Sequence, residues 1–221
     1  MGKVIMNKKR ANNSNNDGTF SIVRPDGEVL AQFSTEDPTG SDSTQQWLQM
    51  GLDLKRRRFS LTGEVNENMS EFVLRAITTL NDINHDPITI HLQTYGGGVY
   101  EGFAIYDVLR ASVSPITVIA SGKIASMGIV IFLAGTERIA SPNTRFMIHS
   151  LSHGTEGKLK DTLVDVAEAK ICNDQMYGII SARSKLNLKS LNKTTGDSWF
   201  GVNQAKKYGI IKETKNKKGK S

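Results

Sequence analysis

From Arg58 onward the chain alternates short apolar runs with longer stretches of helical spacing, and this alternation limits the possible folds more than any other feature. Phe59-Ser60-Leu61 is followed by a helix-like segment near 70–81, then by the strand-like run Ile88-Thr89-Ile90-His91-Leu92. A glycine-rich turn, a helix over about 100–112 and a further strand over 116–120 come next. Strands alternating with helices of this length argue for an α/β fold with a largely parallel sheet, in which sites gather at the carboxyl ends of the strands. The segment 158–183 carries Leu163, Val166, Ala167, Ile171, Met176, Ile179 and Ile180. That spacing predicts one long amphipathic helix whose stripe is mostly a packing face. Self-similarity at solenoid periods of about 20–50 residues is not visible.

The 221 residues suffice for one ordinary domain with flexible ends. Residues 1–19 are dominated by Asn, Lys, Ser and Gly and hold too few apolar groups to offset the entropy of ordering, so they are expected to form a disordered arm. Residues 20–56 form a separate N-terminal segment: Phe20 to Phe33 alternates around Pro25-Asp26-Gly27 and predicts a hairpin, and 35–44 reads as a linker. The principal domain spans 57–211, and 212–221 is a Lys-rich tail.

The formal charge of +6 sits at the ends: seven lysines from Lys206 onward face only Glu213, and the first ten residues carry Lys3, Lys8, Lys9 and Arg10. The body between is net acidic, so solvated tails rather than nucleic-acid contact are expected. The apolar run 127–134 is far short of the ~20 residues of a membrane span, and the first residues lack the apolar core of a signal peptide. Cys172 is the single cysteine, which fits a reducing compartment and leaves no cysteine-based metal set. The expected location is the cytoplasm.

Three stretches carry chemistry-bearing residues. Ala125-Ser126-Met127-Gly128 follows a strand and precedes an apolar helix-like run, where a hydroxyl can be exposed while backbone N–H groups face developing negative charge. Small residues at such a turn also serve tight packing. Tyr95-Gly96-Gly97-Gly98-Val99 lies between strand and helix. It suits a turn of positive φ or an oxyanion donor, and it matches nucleotide-binding glycine patterns poorly. His149 closes the run Arg145-Phe146-Met147-Ile148, and His153 competes with it for the part of general base.

In order and spacing these elements resemble the ClpP peptidase family. The likeness runs through Gly102-Phe103-Ala104-Ile105-Tyr106-Asp107, Pro142-Asn143 and Met147-Ile148-His149 to Asp197-Ser198-Trp199-Phe200, with Arg58 to Val65 similar to the family's first core strand. It covers about 57–211. The resemblance implies a ClpP/crotonase-like α/β fold with repeated β-β-α and βαβ units and a protruding handle helix at 158–183. It implies Ser126 as nucleophile, His149 as base and Asp197 as the acid orienting the histidine. The backbone N–H groups of Gly97 and Met127 would form the oxyanion hole, and Gly98, Val99, Leu151 and Ser152 would flank an extended peptide.

The implied activity is that of a serine endopeptidase acting on unfolded polypeptides or peptides inside an oligomeric chamber of heptameric rings, up to a tetradecamer. A partner AAA+ unfoldase would use ATP; this chain itself would need no cofactor and no metal. Thr94-Tyr95 and Ser150-Leu151 depart from the family's usual Ser-Pro and Gln-Pro, and residues 1–56 do not match its axial-loop region. Other readings are a non-catalytic scaffold subunit of a mixed ring, which would usually lack one of the three side chains, a phage particle-maturation peptidase, and a crotonase-type acyl-thioester enzyme.

Overall fold

A computed structural model describes residues 19–23, 29–34, 51–152, 154, 156–186 and 197–212. The chain divides into two units, the second beginning at Met50. In the first, β1 (Thr19–Val23) pairs antiparallel with β2 (Val29–Ser34), with Phe20 opposite Phe33, which is the hairpin expected there. Thr19, the last residue of the expected arm 1–19, begins β1, and Lys212, the first of the expected tail 212–221, bridges to Arg138; the turn residues 24–28, the linker 35–44, residues 1–18 and residues 213–221 lie outside the described residues.

The second unit is built on a seven-stranded sheet of order β3-β4-β5-β6-β8-β9, with β7 also paired to β6. Its strands are β3 (Leu52–Asp53), β4 (Arg58–Val65), β5 (Ile88–Gly97), β6 (Ile116–Ala125), β7 (Glu137–Ala140), β8 (Arg145–Ile148) and β9 (Ser198–Gly201). β4, β5, β6, β7 and β8 pair in parallel, while β3 and β9 are antiparallel edges. The largely parallel sheet expected from the alternation is the one observed.

Period-two burial explains the layering. Phe59, Leu61 and Val65 of β4, Ile88, Ile90 and Leu92 of β5, and Ile116, Val118 and Ala120 of β6 all point to one buried face. Against the sheet lie helices α1 (Glu67–Ile83) and α3 (Met127–Ala134), and α2 (Val99–Ala111) packs on both of these helices. α1 starts three residues before the expected position because the Asn66 side chain accepts from the Met69 N–H at 3.0 Å and caps the first turn. Every residue of α3 is buried, as an all-apolar helix must be.

Helix α4 (Leu159–Arg183) matches the long helix expected over 158–183. Its buried residues, Cys172, Met176, Tyr177 and Ile180, lie in the C-terminal half, while Leu159, Leu163, Val164 and Val166 stand exposed. The stripe read as a packing face is therefore exposed over its first turns at these four residues. At its end Arg183 donates to the carbonyls of Leu133 and Gly135, both at 3.1 Å, pinning α4 to the far end of α3. The last helix, α5 (Val202–Lys207), follows β9, and Phe200 stacks on Phe146 at 5.6 Å, with Phe146 in turn against Phe132 of α3.

Candidate active site

β6 does not stop at Ala120 but runs to Ala125, and the chain enters α3 through Ser126 at φ 54° and ψ −125°. A positive φ is costly for a residue with a Cβ. Here the surroundings enforce it: the Ser126 N–H donates to the Met147 carbonyl at 3.0 Å, while the Ser126 carbonyl accepts from Ile129 at 2.9 Å. The serine is thus fastened between β8 and the first turn of α3, with its side chain at the carboxyl edge of the sheet.

The same pairing delivers the histidine. Ala125 is opposite Met147 in the parallel β6–β8 ladder, so His149, just beyond the end of β8, emerges beside Ser126. Its Nε2 lies 2.8 Å from Ser126 Oγ. β9 then returns antiparallel with Ile148 opposite Ser198, and that register brings Asp197 level with His149. The separation from Asp197 Oδ1 to His149 Nδ1 is 3.9 Å, an ion-pair distance rather than a hydrogen bond. The Asp197 side chain is 54% exposed, against 22% for His149. His153, the competing histidine, lies outside the described residues.

The glycine segment is not the turn its composition suggests: β5 continues through Gly96 and Gly97, which pair with Glu64 and Val65 after a register shift at Gly63. Thr94 bridges that irregularity, its buried hydroxyl donating to the Gly63 carbonyl at 2.6 Å and accepting from the Gly96 N–H at 3.0 Å. Gly96 must be glycine, because a Cβ there would stand 2.6 Å from Ser126 Cβ at a φ of +95°. Gly97, at φ +150°, would drive a Cβ to 2.3 Å from the Val65 carbonyl oxygen.

A cavity of about 270 Å³ opens over the serine, lined by Tyr95, Gly97, Val99, Ser126, Met127, Met147, His149, Leu151, Ser152 and Met176. Of the sequence-derived residues, Ser126, His149, Gly97, Met127, Val99, Leu151 and Ser152 meet here; Asp197 stands behind the imidazole. Gly98 is not on the lining: it caps α2, and its N–H donates to the Val65 carbonyl at 2.7 Å. Met127 is the first residue of α3, where a backbone N–H has no intrahelical acceptor.

Tyr95, singled out in the sequence as a departure within the glycine segment, lines the cavity, whereas Met147 and Met176 are not assigned to the site by sequence reasoning. Met147 alternates with buried Phe146 and Ile148 and so faces the open side, a signal present in the period-two pattern. Among the described residues no three His, Cys, Asp or Glu side chains cluster as a metal site, and no helix is long and apolar enough to cross a membrane.

Comparison with known proteins gives the same frame. The family model described as Clp protease matches residues 42–218. The ATP-dependent Clp protease proteolytic subunit 2 of Treponema pallidum is 29% identical over 162 residues, 72% of this chain and 81% of that protein. The proteolytic subunit 3 of Rhizobium johnstonii is 29% identical over 160 residues, 71% of this chain and 82% of its own length. Among solved structures, a ClpP1 point mutant from Listeria monocytogenes superposes with a TM-score of 0.66 at 30% identity, covering 76% of this chain and 92% of that one. The fold is the ClpP fold, and the chain belongs to the Clp protease family.

Proposed function

We propose that the chain is a serine endopeptidase cleaving peptides and unfolded polypeptides within an oligomeric chamber, with Ser126 as nucleophile, His149 as general base and Asp197 as the orienting acid. The observation that carries this reading is the 2.8 Å contact between Ser126 Oγ and His149 Nε2 at the floor of an apolar cavity. In the productive tautomer Nε2 accepts the hydroxyl proton while Nδ1–H points to Asp197. Ser126 Oγ attacks the scissile carbonyl carbon, and its proton passes to His149. The oxyanion is met by the N–H groups of Gly97 and Met127. Collapse of this intermediate breaks the C–N bond as His149 returns the proton to the leaving amine, and water then releases the acyl group by the same steps.

Val99, Leu151 and Ser152 are proposed to border an extended peptide, with Gly98 holding the adjoining backbone rather than touching it. The exposed apolar side chains Leu159, Leu163, Val164 and Val166 support assembly through α4, as heptameric rings or their tetradecamer. The relatives' designation as proteolytic subunits of an ATP-dependent protease supports delivery of substrate by a separate ATP-driven unfoldase. In that arrangement ATP is spent by the partner, this chain carries no cofactor, and the setting is cytoplasmic.

One observation favours a second reading, a subunit that is latent or purely structural in a mixed ring: Asp197 is half exposed and 3.9 Å from the imidazole. Hydrolysis of a fluorogenic peptide by the purified assembly decides between them. Turnover abolished by Ser126→Ala supports the peptidase; a folded, assembled wild type without turnover supports the scaffold.

A further inference from the structure

The residues that border the cavity on either side of Ser126 are not held there by the sheet alone. β8 ends at Ile148, and its ladder with β9 ends at the Ile148–Ser198 pair, so residues 149–152 leave the sheet before they reach the cavity wall. Their backbone anchor is on α4: the Leu151 N–H donates to Asn173 Oδ1 at 3.0 Å. One turn along, Tyr177 Oη is 3.1 Å from Ser150 Oγ. On the other rim, Tyr100 follows Val99 in the first turn of α2, and its phenol donates to Glu168 Oε1 at 3.0 Å. Cys172 Sγ donates to the same carboxylate oxygen at 3.6 Å.

Glu168, Cys172, Asn173, Met176 and Tyr177 recur at the spacing that places residues on one helical stripe. Met176, within that stripe, lines the cavity itself, as do Val99 and Leu151 at its rims. One stripe of one helix therefore contacts both rims and lines the cavity between them.

We propose that this stripe of α4 is a clamp that fixes the spacing of the two peptide-binding rims, with Asn173 the positioning residue for the Leu151 rim and Glu168 that for the Val99 rim. The inference rests on the peptidase reading for what the rims bind, and on the hydrogen bonds alone for how they are held. Asn173 acts through Leu151 and touches no reacting atom. Its loss therefore weakens the hold on an extended peptide while the Ser126–His149 pair remains intact.

The test uses the full chain as Asn173→Leu, which removes the acceptor at similar volume, and Asn173→Asp, which keeps one. Amide exchange at Leu151 should accelerate about tenfold in Asn173→Leu, the size of one lost backbone hydrogen bond, and stay near wild type in Asn173→Asp. KM for an extended fluorogenic peptide should rise by a similar factor in Asn173→Leu alone. Labelling of Ser126 by a small fluorophosphonate, which does not span the rims, should stay within about twofold. Unchanged exchange at Leu151, or labelling that falls in step with KM, overturns the clamp. Faster exchange in a protein that neither labels nor cleaves overturns the peptidase reading and leaves the clamp standing.

Discussion

His149 Nδ1 stands 3.9 Å from the nearest carboxylate oxygen of Asp197, while Nε2 of the same ring is 2.8 Å from Ser126 Oγ. The Ser126–His149 separation is that of a hydrogen bond, and the His149–Asp197 separation is about an ångström too long for one. The β8–β9 register, which ends at the Ile148–Ser198 pair, brings residues 149 and 197 level, and the Asp197 carboxylate is 54% exposed. Ser126→Ala should abolish peptide turnover, whereas Asp197→Asn should lower kcat by about 10²–10⁴ and leave measurable activity. Equal losses in the two variants would show that Asp197 does more than orient the ring.

Gly96 and Gly63 separate two costs of adding a methyl group. Both have positive φ, +95° and +89°, but a Cβ at Gly63 meets nothing within 4 Å, whereas one at Gly96 strikes Ser126 Cβ. Gly63→Ala should cost about 1 kcal/mol of stability from backbone strain. Gly96→Ala should cost about 1–3 kcal/mol more and reduce peptidase activity at least tenfold by displacing the serine. Chemical denaturation and kinetics on both variants check this.

The exposed apolar turns of α4 predict assembly. Leu163, 61% exposed, should tolerate Leu163→Glu with no loss of the monomer's secondary structure. The same change should dissolve the oligomer by burying an unpaired carboxylate in an apolar interface. Light scattering after size-exclusion chromatography reads the outcome directly.

Tyr100 gives a pH signature. Hydrogen bonding with Cys172 and then Glu168, aided by desolvation, pushes its phenol from 10.0 up to about 12. A pKa raised on folding means that the neutral phenol stabilises the folded state fully below 10.0 and that this contribution fades as pH climbs through about 12. The Tyr100 contact should therefore be constant across the neutral range, and Glu168→Ala should return the titration towards 10.0, followed by the ring-carbon shift of Tyr100.

Much of this was legible in the sequence because its signals are local. The alternation of Phe59, Leu61, Ile88, Ile90 and Leu92 sets which sheet face is buried, and the apolar run after Ser126 announces a buried helix led by a hydroxyl-bearing residue. What stayed hidden depends on partners distant in the chain. Gly96 and Gly97 look like a turn, yet they remain in β5 because the Thr94 hydroxyl bridges the register shift to Gly63. Spacing on α4 identifies its apolar side chains but not what covers them, so Leu163 and Met176 read alike although one is exposed and the other lines the cavity. Asn173 offers no sequence signal at all, since its importance lies in a bond to Leu151 that only the fold creates.

If Ser126 is an activated nucleophile, a fluorophosphonate probe labels it covalently in the assembled protein. One labelled serine per chain is expected, located at Ser126, with labelling lost in Ser126→Ala and strongly slowed in His149→Ala. A folded, assembled wild type that fails to label, or labels equally well as Ser126→Ala, would contradict it.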